Sequence, residues 1–394
     1  MQVKSIEQAE FKGKRVVARF DFNVPLSKEE PPKITDASRI DLALPTIRLM
    51  LEKGASKIVL MSHLGRPDGQ ANPKYSLEPV AKYLAEQLGQ DVFLSDAPVD
   101  AGVKEFLALP ETKIVLLENL RFSPLEEKND QEFAEKLAAY GDFYVNDAFG
   151  AAHRKHASVH AINQFFKNRN YAGLLLMKEV EALGKLLDKP AKPFVAVLGG
   201  AKVADKIKTI ERLLILVDKI LIGGAMAYPF LKAKGGEVGK SLCSDEDVVL
   251  AKQLLAMDKG GKIQLPIDHV VSATFGGEPE PCEMTAIPKD RMGLDIGEAT
   301  VNRYAGMLKG AKTIFWNGPM GLFENEDYSD GTMQIANYIA HSGAFTVVGG
   351  GDSVAAAHQS GLADQFGHVS TGGGASLEFI EKGELPGVNA LRGL

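Results

Sequence analysis

A chain of 394 residues exceeds what one hydrophobic core organises, so two domains of similar size are expected. The net charge of -6 argues against nucleic acid or an anionic membrane surface as a partner, and the two cysteines, Cys243 and Cys282, make neither a disulfide framework nor a cysteine-rich metal site. No apolar run reaches signal-peptide or membrane-spanning length, so a cytoplasmic protein in a reducing compartment is the expectation.

Short apolar runs alternate with helical patterns along the chain. The first series is Arg15 to Phe20, Ile58 to Met61, Val92 to Leu94, Lys113 to Leu117 and Phe143 to Val145. The second is Phe194 to Leu198, Ile220 to Ile222, Ile263 to Pro266, Thr313 to Trp316 and Phe345 to Val348. Near-continuous apolar strands separated by helices predict parallel sheets covered on both faces, hence an α/β fold with two Rossmann-like lobes. Between the series, residues 174–188 are apolar at helical spacing and Pro190 bars continuation, which predicts a helix joining the lobes. An ordinary crossover helix in one long sheet is the alternative. The 40 glycines exceed the usual share of about 7% and cluster after apolar runs, so they read as positional.

In open parallel sheets ligands bind beyond the carboxyl ends of the strands. In the first half these positions carry Asp21 and Asn23, then His63 and Arg66, then Arg121, then Arg154; Arg39 lies in the polar approach to a helix. Guanidinium groups match phosphate and carboxylate oxygens in pairs, which suits a small multiply charged anion. Each arginine taken singly reads first as a surface ion pair; the grouping of several at strand ends points to a site.

In the second half the strand ends carry glycines: Gly199-Gly200 followed by Lys202 and Lys206, Gly223-Gly224, Asn317-Gly318, Gly349-Gly350-Gly351 with Asp352 and Ser353, and Gly372-Gly373-Gly374. Glycine there lets backbone approach an extended ligand and form N–H nests for phosphate. Lys202 and Lys206, four apart, are expected on one helix face, although a solvated lysine face is the plain alternative. Asp352 reads either as a magnesium ligand or as a helix cap. Trp316 and Phe323 read as core rather than base-stacking groups. The first strand-helix turn lacks the dinucleotide fingerprint and no Gly-x-x-x-x-Gly-Lys-Ser/Thr run occurs, which disfavours hydride transfer and a P-loop.

Asp21-Phe22-Asn23-Val24-Pro25, His63-Leu64-Gly65-Arg66-Pro67, Glu118-Asn119-Leu120-Arg121-Phe122, the Gly199-to-Lys206 run and Trp316-Asn317-Gly318-Pro319 together resemble the phosphoglycerate kinase family, with similarity reaching the terminal glycine triplet. The resemblance implies a two-lobed glycolytic monomer that closes about its hinge and transfers a phosphoryl group between 1,3-bisphosphoglycerate and ADP, giving 3-phosphoglycerate and ATP with Mg2+. It implies a phosphoglycerate-binding lobe over 1–172, with a tail over 376–394 packing back on it, and a nucleotide-binding lobe over 173–375 that begins with the joining helix. It implies that Asp21, Asn23, Arg39, His63, Arg66, Arg121 and Arg154 hold the glycerate ligand, and that Arg39 and Lys202 stabilise the migrating phosphoryl. Lys206, Gly293, Glu324, Gly350, Gly351, Asp352 and Ser353 are then the nucleotide residues, with Asp352 near the metal. Ser353 and Ala151 stand where the family usually has threonine, and Ser27 to Ile34 matches no family segment.

Overall fold

A computed structural model of the chain describes residues 3–393. Two compact units are present: one takes the chain up to Glu181 together with the segment from Glu384 onward, the other Ala182–Gly383. The first holds a six-stranded sheet of β1 (Arg15–Arg19), β2 (Lys57–Met61), β3 (Val92–Leu94), β4 (Ile114–Leu116), β5 (Phe143–Asn146) and β6 (Asn170–Ala172). Its order is β3-β4-β2-β1-β5-β6, and every pairing is parallel.

The second unit holds β7 (Phe194–Leu198), β8 (Lys219–Ile222), β9 (Ile263–Gln264), β10 (His269–Ser272), β11 (Glu280–Cys282), β12 (Met292–Ile296), β13 (Thr313–Asn317), β14 (Phe345–Val348) and β15 (His368–Val369). Six of these form a parallel sheet in the order β15-β14-β13-β7-β8-β9. β7 and β13 are buried along their whole length, the signature of strands covered by helices on both faces. The remaining three make a separate antiparallel sheet, β11-β10-β12, which the apolar-run reading does not anticipate. Its strands mix polar and glycine positions, as in Met292-Gly293-Leu294-Asp295-Ile296, so they lack a continuous apolar run.

Both parallel sheets reverse their strand order beside their first strand: β1 lies between β2 and β5, and β7 between β13 and β8. Such switch points open a crevice at the strands' carboxyl ends. Arg19 and Asn146 are register partners at the first, Leu198 and Asn317 at the second.

The expected joining helix runs Leu174–Leu187, crossing from the first unit's stretch of chain into the second's. Its amino end is fastened within the first unit: Leu174 N–H donates to Thr46 Oγ1 at 3.0 Å and Leu176 N–H to Asp147 Oδ1 at 2.9 Å. Gly173 is required there, because a Cβ would stand 2.3 Å from the Asp147 carboxyl. The tail differs from expectation. The helix Gly374–Lys382 stays with the second unit, where Thr209 donates to Glu381 at 2.6 Å, and only the segment from Glu384 joins the first. There the helix Pro386–Leu391 packs close, with Gly387 N–H donating to the Ala152 carbonyl at 2.8 Å. Among the described residues no helix is long and apolar enough to cross a membrane.

Candidate active site

In the first unit the charged residues gather beyond β1, β2 and β4. Asp21, just past β1, accepts from Arg39 Nη1 at 2.7 Å, and Arg39 stands in the first turn of the helix Ser38–Glu52. Asn23 Oδ1 accepts the Gly65 N–H at 2.8 Å, while the Gly65 carbonyl accepts from Arg121 Nη1 at 2.8 Å. One backbone unit is thus held from both sides, which fixes the turn carrying His63 and Arg66. Arg121 is buried and also meets Glu127 at 3.3 Å. Arg154, half-buried, donates to His153 Nε2 at 3.1 Å. Arg66 is exposed and follows Gly65 directly in the chain.

Two groups at the centre were not singled out by sequence. Arg19, which closes β1, is 1% exposed, and His156 is buried nearby. Burial, followed by Arg19, Arg121, His156 and Arg154, drives His63 well below its ordinary pKa, and burial with Arg19, Arg121 and Arg154 takes His156 down to about 3. The cluster therefore carries a strong positive field whose two histidines are neutral at physiological pH. Its place directly after the apolar Val16-Val17-Ala18 of β1 is the one signal the sequence offered for Arg19.

A cavity of about 860 Å3 lies beneath residues 27–32 and Pro73–Tyr75 and borders this cluster at Val24, Leu64 and Gly65. Its lysines and glutamates balance, so the chemistry is concentrated in the arginine cluster instead.

In the second unit a pocket of about 460 Å3 opens at the ends of β7, β8 and β13 against β12. Gly200, Gly224 and Gly293 form its walls, exposed Leu242 and Phe275 its apolar lip, and Lys240, Glu324 and Asp352 its polar rim. A mostly apolar slot of this size with a few polar groups has the character of a small-molecule pocket. Gly293 has no room for a side chain, since a Cβ would lie 2.2 Å from the Tyr228 hydroxyl.

Lys206 is held beside this pocket by donating to Asn317 Oδ1. Gly350, at φ +90°, starts the helix Gly351–Gln359 against the Asn317 amide, and buried Ser353 accepts the Gly318 N–H. A helix amino end, a lysine and Asp352 thus stand together, an arrangement that suits phosphate. Asp352 makes no capping bond; the cap position is Gly350. Trp316 and Phe323 are buried in the unit's core.

The expectation for the two lysines needs correction. The helix after the glycines begins only at Ile207, preceded by a tight turn over Ala204–Lys206, so Lys202 and Lys206 do not share a helix face. Lys202 is exposed in the turn after Gly199-Gly200. Part of the glycine signal also has another cause. A Cβ on Gly199 would lie 1.8 Å from the Pro319 carbonyl oxygen, and one on Gly318 would lie 2.1 Å from the Gly199 oxygen, so these glycines let neighbouring strand ends touch backbone to backbone.

The comparisons agree with this picture. A family model described as phosphoglycerate kinase matches residues 6–383. The phosphoglycerate kinase of Anaeromyxobacter dehalogenans (strain 2CP-C) is 52% identical over 401 residues, covering 99% of both chains, and that of Moorella thermoacetica 50% identical over 392 residues, covering 98% of both. The solved structure of phosphoglycerate kinase from Coxiella burnetii superposes with a TM-score of 0.90 at 39% identity, covering 100% of this chain and 99% of that one. The Pyrococcus horikoshii OT3 structure gives 0.82 at 34% identity, covering 99% and 98%. With the motifs, the paired parallel sheets and these matches in accord over nearly the full length, the chain belongs to the phosphoglycerate kinase family.

Proposed function

We propose that the protein catalyses the reversible transfer of the acyl phosphoryl group of 1,3-bisphosphoglycerate to ADP, giving 3-phosphoglycerate and ATP in glycolysis. The observation that carries this reading is the pair of switch-point sites, one arginine-rich and one glycine-walled, in a member of this family. The first unit takes the glycerate ligand through Asp21, Asn23, Arg39, His63, Arg66, Arg121 and Arg154. The second takes the nucleotide, with Gly293 against the base, Glu324 at the pocket rim, and Lys206, Gly350, Gly351, Asp352 and Ser353 around the phosphates.

In the reverse direction the nucleophile is a carboxylate, ionised at neutral pH, so the chain need supply no base. Its residues have two tasks: to place two anions in line, and to spread the charge of the migrating phosphoryl. Arg39 and Lys202 are assigned the second task. Direct transfer without a phosphoenzyme, with closure that excludes water, protects an acyl phosphate prone to hydrolysis.

Among the described residues no three histidine, cysteine or carboxylate groups converge as a metal site. That fits Mg2+ carried in by the nucleotide, because this ion keeps water and phosphate oxygens as most of its ligands and needs one or two carboxylates. Asp352 is the residue that would hold it, and the bound ion would neutralise charge on the phosphates. We read the protein as a cytoplasmic monomer. A coupled assay tests the function: ATP consumption that depends on 3-phosphoglycerate is expected, and none at millimolar concentrations of both substrates overturns it.

A further inference from the structure

Arg19 is enclosed by its partners. Its Nε–H donates to Ser158 Oγ at 2.9 Å, Nη1 donates to the Phe20 carbonyl, and Nη2 lies 3.1 Å from His63 Nδ1. Ser158 is fastened in turn to buried Glu126, donating its hydroxyl at 2.6 Å and its N–H at 3.0 Å. A relay of four side chains, Glu126, Ser158, Arg19 and His63, therefore runs from the interior to the anion cluster.

A guanidinium has donors and no acceptor. His63 Nδ1 must then be the acceptor of the 3.1 Å contact, and the ring's single proton belongs on Nε2. Asp21 Oδ1 is the rival that would favour a proton on Nδ1, but it lies 4.0 Å away, beyond hydrogen-bond reach. The other Asp21 oxygen is engaged by Arg39. The remaining charged or titratable groups that act on the ring, Arg121, Arg154 and His156, oppose a second proton. Among the described residues nothing hydrogen-bonds Nε2, and that atom is not sealed from solvent.

We propose that Arg19 is a positioning residue: it fixes His63 as the neutral Nε2–H tautomer, so that the ring meets an anionic ligand as a hydrogen-bond donor rather than as an imidazolium. Arg19, at 1% exposure, acts through His63 and not by touching the ligand. The ligand's identity rests on the phosphoglycerate reading above; the tautomer does not.

The deciding measurement is a long-range 1H–15N correlation of the imidazoles in the uniformly labelled full-length protein without ligand, with the His63 signals assigned by their loss in His63→Gln. A protonated Nε2 and a bare Nδ1, unchanged from pH 8 to 5, are expected. Protonated Nδ1, or titration within that range, overturns the proposal. In Arg19→Met the ring should mix tautomers, while burial, Arg121 and Arg154 still hold it below its ordinary pKa. Arg19→Lys, which keeps charge and a donor, should restore the single tautomer in large part.

Because Arg19→Met removes a buried cation and its folding is uncertain on that ground, a second pair decides independently. Glutamine places its amide nitrogen near Nε2, whereas asparagine places it near Nδ1. His63→Gln should raise KM for 3-phosphoglycerate by less than about threefold and His63→Asn by about tenfold or more, roughly one hydrogen bond to a charged group, with kcat moving less than KM in both. Equal losses overturn the assignment. An enzyme with no 3-phosphoglycerate-dependent turnover but the expected tautomer would instead indict the functional reading alone.

Discussion

Lys206 donates its ammonium to the side-chain carbonyl of Asn317, the residue that ends β13, and so stands beside the switch point of the second sheet. Burial lowers its pKa to about 8, with Asp352 and Asp205 pulling the other way. The folded protein therefore binds fewer protons than the unfolded chain between about 8 and the ordinary lysine value of 10.5, and the Lys206 contribution to folding stability rises with pH through that window. Nucleotide binding has the opposite sign. A polyphosphate selects the ammonium form, so ADP affinity should fall as pH passes upward through about 8, with proton uptake on binding there. Calorimetry at pH 8 in two buffers of different ionisation enthalpy reads the uptake directly, and Lys206→Arg should abolish it. Identical apparent enthalpies for the unaltered protein would remove Lys206 from the phosphate site.

Lys202 is exposed in the free protein, so Lys202→Ala should leave thermal stability within about 0.5 kcal/mol. Its assigned work comes in the transition state. We expect kcat to drop about 100-fold or more, while ADP affinity changes less than about threefold. Equal losses in turnover and affinity would mark a ground-state contact. Arg39→Ala should lower kcat as strongly on the glycerate side, with some loss of 3-phosphoglycerate affinity because Arg39 also holds that ligand, and should still fold, because its pair with Asp21 is 39% exposed on the arginine and such a pair is worth about 1 kcal/mol to folding. A collapsed melting transition in that variant would identify a structural residue.

Why sequence located some of these groups and not others has physical causes. The buried strands β1, β2 and β4 announce themselves because both faces need apolar side chains, and their ends then locate Asp21, His63 and Arg121 without further information. Arg19 went unread despite its place at a strand end, since its burial depends on Ser158 and Glu126, more than a hundred residues away in the chain. The sheet of β10, β11 and β12 was missed because its strands mix polar, proline and glycine residues with apolar ones, so no continuous apolar run marks them. Lys202 and Lys206 were placed on one helix face by spacing alone, and a tight turn over Ala204–Lys206 shifted the helix start past both. Gly199 and Gly318 were read as ligand cradles, yet neighbouring backbone already requires them.

Asp352 sits in the first turn of the helix Gly351–Gln359 with an exposed carboxylate that caps nothing. Asp352→Asn should consequently cost no more than the helix-dipole interaction of about 1 kcal/mol. Loss of a charge next to the metal should raise the Mg2+ concentration for half-maximal turnover about tenfold, as for one contact between charged groups. An unchanged Mg2+ titration would leave Asp352 no role beyond the helix dipole.

The glycines at the strand ends divide into two kinds, and alanine substitution separates them. Gly199→Ala drives a Cβ to 1.8 Å from the Pro319 oxygen, and Gly318→Ala combines a 2.1 Å clash with a φ of +100°, so backbone must move in both. We expect each to destabilise the second unit by more than about 3 kcal/mol or to prevent folding. Gly351 is different: an added Cβ meets nothing within 4 Å and its φ is not left-handed, while the residue opens a helix. Gly351→Ala should fold with unchanged or slightly raised stability, since alanine is favoured over glycine in helices by up to about 1 kcal/mol. If Gly351 is glycine because phosphate must approach the helix amino end, the same variant should bind ADP about tenfold more weakly despite its intact fold. Retention of full affinity together with full stability would show that Gly351 serves neither purpose.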